Sequence, residues 1–164
     1  MPTTVTDQLV KHLDEAYAME QSVLRMLDGM IRTTDDLQIR EDLQCHRRET
    51  EQHASRLKDR IEAHGESPSL VREAGGMVGA LMKGVLDATR SEKAGRNARD
   101  GYATEHMEIA SYQLLERVAI RAGDEETAAV ARQNRQDEEA MARKIDETWD
   151  RVVGHTFAEQ DVHA

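Results

Sequence analysis

The sequence predicts an all-α fold, an antiparallel four-helix bundle built from two helical hairpins, and three observations carry that prediction. Apolar residues recur at a spacing of three and four over four long stretches. Only five of the 164 residues are aromatic and only two are proline, too few for the strands and turns of a β-sandwich or barrel. The stretches also come in pairs, with short polar connections inside each pair and one long connection between them.

The first helix begins after Thr6 and Asp7, residues suited to capping. Its stripe is Leu9, Leu13, Ala16, Leu24, Leu27 and Ile31, and it fades at Thr33, Thr34, Asp35 and Asp36, whose acids can cap the next helix. The second helix carries Ile39, Leu43, Leu57 and Ile61. It stops at His64 and Gly65, with Pro68 preventing continuation. Four glycines (Gly75, Gly76, Gly79, Gly84) and Met77 and Met82 then predict a less regular helix over 69–89, within a crossover of about 66–95. A third helix runs over about 96–122, ended by Gly123. The fourth runs over about 125–152, with Val130, Met141, Ile145, Trp149 and Val152 on one side. This makes one domain over 1–153 and a flexible tail over 154–164. Two hairpins joined by one long crossover are the ferritin-like variant of the bundle.

Composition narrows the function classes. With 22 basic against 32 acidic residues the net charge is −10, which disfavours a binder of nucleic-acid phosphates. The single cysteine, Cys45, excludes an intrachain disulfide and suits a reducing compartment. The longest uncharged apolar run, 74–82, is far short of the roughly 20 residues of a membrane span. No signal-peptide pattern opens the chain. The expectation is a cytoplasmic protein with neither nucleic acid nor membrane as partner.

Chemistry enters where acids interrupt the apolar stripes. At about 100° per residue, Glu20 projects to the centre of the first helix's apolar face. His46, Thr50 and His53 fall between Leu43 and Leu57, with Glu49 at the edge of that face. Glu105, Glu108 and Tyr112 lead into Leu115, and Asn134 and Glu138 lie between Val130 and Met141. One misplaced glutamate means little, because a long side chain reaches water from the edge of a stripe. A carboxylate on all four inner faces is different, since adjacent buried anions need protons, bases or a cation. No lysine or arginine alternates with these acids, which leaves a metal, and each polar group falls near the middle of its helix. His46 is open as ligand, as donor to a ligand, or as core histidine. Tyr17 and Tyr112 read as core residues able to donate to a ligating carboxylate. With five acids (Glu20, Glu49, Glu105, Glu108, Glu138) inside, half of the net charge belongs to the interior.

These residues also carry a family resemblance. The segment YAMEQSVLRML over 17–27, HRRETEQHASRL over 46–57, EHMEIASY over 105–112 and DEE over 137–139 resemble the four helices of the YciE/YciF stress-protein family, a ferritin-like group. The likeness covers about 7–150. It implies a rubrerythrin-like dinuclear site, with Glu20, Glu49, His53, Glu105, Glu108 and Glu138 as ligands, and a ferroxidase linked to stress. The implied cofactor is two metal ions, iron first, with manganese or adventitious zinc or calcium as substitutes. Dioxygen or peroxide would be the partner. The apolar and small face of 74–86 can cover the bundle or mediate a homodimer, and a homodimer is the expected assembly. The pattern departs from two Glu plus two Glu-x-x-His: Glu49 and His53 are four apart, and Met141 and Ala142 stand where a second histidine belongs. No substrate pocket is readable, so an organic substrate is not expected. The rival is a non-enzymatic stress-related bundle that keeps its acids as a passive metal site. A third reading makes the Gly/Met-rich 74–86 stretch a partner-binding face.

Overall fold

Helix signals decide where each element of the computed structural model begins and ends. It describes residues 3–69 and 93–162, and the helix expected over 69–89, with its Gly/Met-rich face, lies outside them from residue 70 onward. Among the described residues there are five helices and no strand: α1 (Val5–Thr33), α2 (Leu37–Ala63), α3 (Lys93–Ala122), α4 (Glu125–Asp146) and α5 (Trp149–Glu159). The cap of α1 is Thr4, two residues earlier than the sequence suggests. Its hydroxyl accepts from Asp7 N at 3.0 Å, and Asp7 returns a carboxylate to Thr4 N at 2.8 Å. That reciprocal pair satisfies two end donors at once. Asp36 and Asp124 cap α2 and α4 through Ile39 N and Thr127 N, each at 2.9 Å. Gly65 and Gly123 take φ of 77° and 74°, the left-handed turn that closes α2 and α3.

The direction of each helix follows from its cross-links. Asp28 and Arg47, then Glu20 and His53, pair as α1 descends in number and α2 ascends, so the two are antiparallel. Met26 with Thr104 and Glu20 with Tyr112 make α1 and α3 antiparallel too. Glu116 with Arg132 and Tyr112 with Asn134 do the same for α3 and α4. Arg60 with Thr127 and His53 with Asp137 complete the ring with α2 and α4. Hence α2 and α3 run the same way. Ser69 sits beside Asp14 near the start of α1, whereas Asn97 sits beside Thr33 at its end.

The interior divides into layers along the axis. Leu9, Leu13, Leu57, Ile61, Leu115 and Ala128 fill one end, and Met26, Met30, Leu43, Met141 and Ile145 line the other. Between them lie the buried polar side chains Glu20, His46, Thr50, His53, Glu105, Glu108, Asn134 and Glu138, beside Met19, Val23 and Ala131.

The fourth helix does not run on to Val152, and the segment after it is not a tail. It stops at Asp146, where Thr148 Oγ1 turns back to Ile145 O at 2.8 Å, and α5 starts again at Trp149. Helix α5 packs on α3 and buries Val152, and the Trp149 and Tyr102 rings meet edge-on. A side chain at Gly95 would come within 2.8 Å of Thr156 Oγ1, so glycine permits this close approach. Among the described residues no helix is long and apolar enough to cross a membrane.

Asp124 ties the end of the bundle together. Besides capping α4 it accepts from Arg60 at 3.0 Å and from His64 at 2.8 Å. These donors outweigh its partial burial and hold its carboxyl well below the usual range. Asp124→Ala is expected to destabilise the protein by about 1–2 kcal/mol, the scale of a lost N-cap. Urea unfolding at neutral pH checks it, and an unchanged midpoint would refute the role.

Candidate metal centre

Helical spacing assembles the site. Glu20 of α1, His46 and His53 of α2, Glu105 and Glu108 of α3 and Glu138 of α4 are each at most 1% exposed. Residues three, four or seven apart on a helix lie on one face, so every pair on α2 and α3 points to the same axis. Two clusters result, sharing one carboxylate. His46, Glu105, Glu108 and Glu138 form the first, and Glu20, His53 and Glu138 the second, with potential ligand atoms within 4.8 Å of one another in each. Glu138 spans them: its Oε1 lies 2.8 Å from His53 Nδ1, and its Oε2 lies 3.6 Å from His46 Nε2. Glu105 Oε1 is 3.2 Å from His46 Nε2, and Glu20 Oε1 is 3.7 Å from His53 Nδ1.

Closeness here is not hydrogen bonding. Among the described residues nine buried side-chain polar atoms have no hydrogen-bond partner, and eight belong to these six side chains. His53 Nδ1 and His46 Nε2 are among them, near carboxylates yet not aimed at them. Buried polar atoms are almost always satisfied, and a set left open together marks a site for something else.

Outer partners hold the cluster in place. Tyr112 donates its hydroxyl to Glu20, and Asn134 Nδ2 donates to Tyr112 at 3.0 Å. Arg56 donates to Asn134 Oδ1 at 2.8 Å, so a chain of polar groups runs from a surface guanidinium to Glu20. His53 Nε2 meets Asp137 Oδ2 at 3.0 Å, fixing its ring with Nδ1 facing inward. Thr50 Oγ1 bonds to His46 O at 3.0 Å and so brings no unpaired hydroxyl to the centre.

Electrostatics follow from burial and crowding. Loss of solvent raises Glu20, Glu108 and Glu138 above the ordinary carboxylate range, and the neighbouring acids raise them further. Burial likewise raises Tyr112, beside Glu20. Burial alone would lower His53, but Glu138 and Glu20 outweigh it and bring it up to about 10. Glu105 and its neighbours raise His46 in the same way. Without a metal, the cluster keeps protons that it would otherwise lose.

Of the residues singled out from sequence, the structure gathers Glu20, His53, Glu105, Glu108 and Glu138. Glu49 stands apart. It is half-exposed at the rim, with its carboxylate 3.4 Å from His46 Nδ1, and belongs to neither cluster. His46, which sequence left open, lies at the centre of the first cluster. Asp137 and Arg56 have no signal in the stripes, because both sit at the edge of the buried face.

A family profile described as Domain of unknown function (DUF892) matches residues 4–158. The chain belongs to the DUF892 family. The resemblance to YciE/YciF proteins is borne out by solved structures. The E. coli stress protein YciF superposes on this DUF892 chain with a TM-score of 0.80 at 20% identity, over 93% of this chain and 99% of its own. A Xanthomonas campestris protein reaches 0.80 at 26% identity, over 96% and 99%. A dodecameric thioferritin of Bacteroides fragilis, a bacterioferritin-related protein, reaches 0.72 at 15% identity, over 94% and 91%. No curated protein matches this DUF892 chain.

A pH dependence follows for the metal-free protein. A group whose pKa rises on folding stabilises the fold fully below its unfolded value, and that stabilisation is lost as pH climbs through the folded value. For His53 the window runs from 6.5 to about 10. The raised carboxylates act in the same direction. The melting temperature of metal-free protein is expected to fall across this window, and saturating Mn(II) to flatten the fall. A metal-free melting temperature that climbs between pH 6.5 and 10 would contradict the assignment.

Proposed function

We propose that the chain is a ferritin-like dinuclear metal protein, a single four-helix-bundle domain with a crossover helix, acting in the cytoplasm as a ferroxidase or peroxide scavenger under stress. One observation carries the reading: eight buried ligand-type atoms without hydrogen bonds, on six side chains from all four helices of the ring. Four carboxylates with neutral imidazoles carry four negative charges, which two divalent cations would cancel. An oxygen-rich set with two imidazoles suits iron or manganese, with zinc or calcium as adventitious occupants. The likeness to a stress protein and to a thioferritin supports the reading.

Glu138, common to both clusters, would help hold both ions, with His53 and Glu20 completing one set and His46, Glu105 and Glu108 the other. Glu49, 3.4 Å from His46 Nδ1, would orient that imidazole from behind, with Nε2 toward the second ion. When bound, the pair would supply two electrons, one from each ferrous ion, so that hydrogen peroxide and two protons leave as two waters. The residues do the rest. Carboxylates favour the ferric state by their charge. Asp137 holds His53 as a ligand through Nδ1. Tyr112 keeps a proton on its hydroxyl beside Glu20. The apolar layer of Leu9, Leu13, Leu57, Ile61 and Leu115 limits water from one end. A homodimer is the proposed assembly.

Anaerobic loading with Fe(II), then peroxide and ferric absorbance, tests this. Wild type is expected to bind two irons per chain and to oxidise them, and Glu20→Ala/Glu108→Ala to lose the reaction. Iron bound without turnover would instead favour the passive metal-binding bundle. Two further variants separate the positions: Glu138→Ala is expected to weaken both ions and His53→Ala only one, by equilibrium dialysis. Asp137→Asn, which loosens a ligand from outside, is expected to lower metal affinity about 10–100-fold. Unchanged affinity would remove Asp137 from the design.

A further inference from the structure

The end of the bundle closed by α5 is hollow. A cavity of about 320 Å³ opens between α5 and the α1–α2 connection and runs inward to Glu105. That volume lies at the lower bound of small-molecule sites, ~300–1,000 Å³. Its length follows from the helix that lines it throughout: Ala94 at the mouth and Glu105 at the floor are 11 residues apart on α3, roughly 16 Å at the helical rise. The space exists because the inner stripe of α3 is small there. Ala94, Asn97, Ala98 and Gly101 precede Glu105 on this face, where Tyr112, Leu115 and Ala119 follow it.

The lining sorts by depth. Met30, Leu43, Ile145 and Val152 supply apolar walls, interrupted toward the mouth by Thr33, Asn97 and Thr148. The floor is Glu105, 1% exposed, with Oε2 lacking a hydrogen-bond partner. At the mouth Asp35, Asp36, Asp42 and Glu159 outnumber Lys144 and His155. Three of these acids are already engaged: Asp36 with His155 at 2.9 Å, Asp42 with Lys144 at 3.6 Å, and Glu159 with Ala94 N at 3.2 Å.

We propose that this cavity binds an elongated, uncharged apolar molecule bearing one hydroxyl group, which lies along the bundle axis with that hydroxyl at Glu105. The chemistry selects against the alternatives. An anion would meet acids at the mouth and a buried carboxylate at the floor. Any charged head would have to shed its water along walls of methionine, leucine and isoleucine, whereas a hydroxyl loses far less and regains a bond at Glu105. Glu105 is also a ligand in the reading above, so the bound hydroxyl would adjoin the metal centre. That adjacency rests on the metal reading, and the binding itself does not.

The test therefore uses metal-free protein with 1-octanol as the probe, followed by calorimetry and by the methionine methyl resonances. Octanol is expected to bind and to move the methyls of Met26, Met30 and Met141, which line the cavity, but not Met19, which does not. Ala98→Leu, a good helix former that fills the space, is expected to weaken binding about tenfold or more. Gly101→Ala should fold without strain, since its new Cβ would lie 3.6 Å from Ile145 Cδ1 and 3.9 Å from Met30 Cε, and should weaken binding less. Ala103→Leu, on the exposed face, should change nothing. Octanoate binding as tightly as octanol would overturn the uncharged assignment, and octanol binding that ignores Ala98→Leu would overturn the site. If Glu20→Ala/Glu108→Ala loses its metal and still binds octanol, the cavity stands by itself. Iron oxidation with no octanol binding would leave the metal reading intact and remove this one.

Discussion

Carboxylates that share one dry interior repel one another, and that repulsion governs the middle of this bundle. Glu20, Glu105, Glu108 and Glu138 stand where leucines would otherwise pack, and solvent is not there to screen them. Two buried imidazoles answer part of the charge, and raised carboxyl pKa values answer more by keeping protons. Neither gives the open oxygens the partners that buried polar atoms need. A cation would do both at once. The scaffold is built around this tension, with apolar layers above and below carrying the stability that the polar middle cannot.

The outer partners show the same logic at longer range. Arg56 reaches Glu20 through Asn134 and Tyr112 without placing its own charge in the core. Asp137 orients His53 from the rim. The fixed directions of these groups leave the inward atoms free to converge, and a site preorganised in this way loses little on filling.

Much of this could be read in the sequence, for a physical reason. A helix has one period, so Leu9, Leu13, Glu20 and Leu27, or Tyr112 and Leu115, declare a shared face before any contact is known. Gly65 and Gly123 likewise mark their ends. What stayed hidden depends on three dimensions. Periodicity puts His46 inside, but only the approach of α3 and α4 makes it a neighbour of Glu105 and Glu138. Glu49 lies at the stripe's edge, where a few degrees of rotation decide between centre and rim. Helix α5 is short and contains Gly154, so its single buried Val152 gives no period to see. The sequence offers no pocket, yet one is there: Ala94, Ala98 and Gly101 are unremarkable helix residues until the facing helices fail to fill their space.

The direction of the chain has one more consequence. The α1–α2 hairpin supplies Glu20, His46 and His53, and the α3–α4 hairpin supplies Glu105, Glu108 and Glu138. Neither half holds a complete cluster, so both clusters lie on the seam where the halves meet. A bound ion would then clamp the two hairpins together, and the segment joining them keeps the halves at high local concentration. Opening the seam would release the ions and expose four acids to water together, so metal release and separation of the halves should be one event.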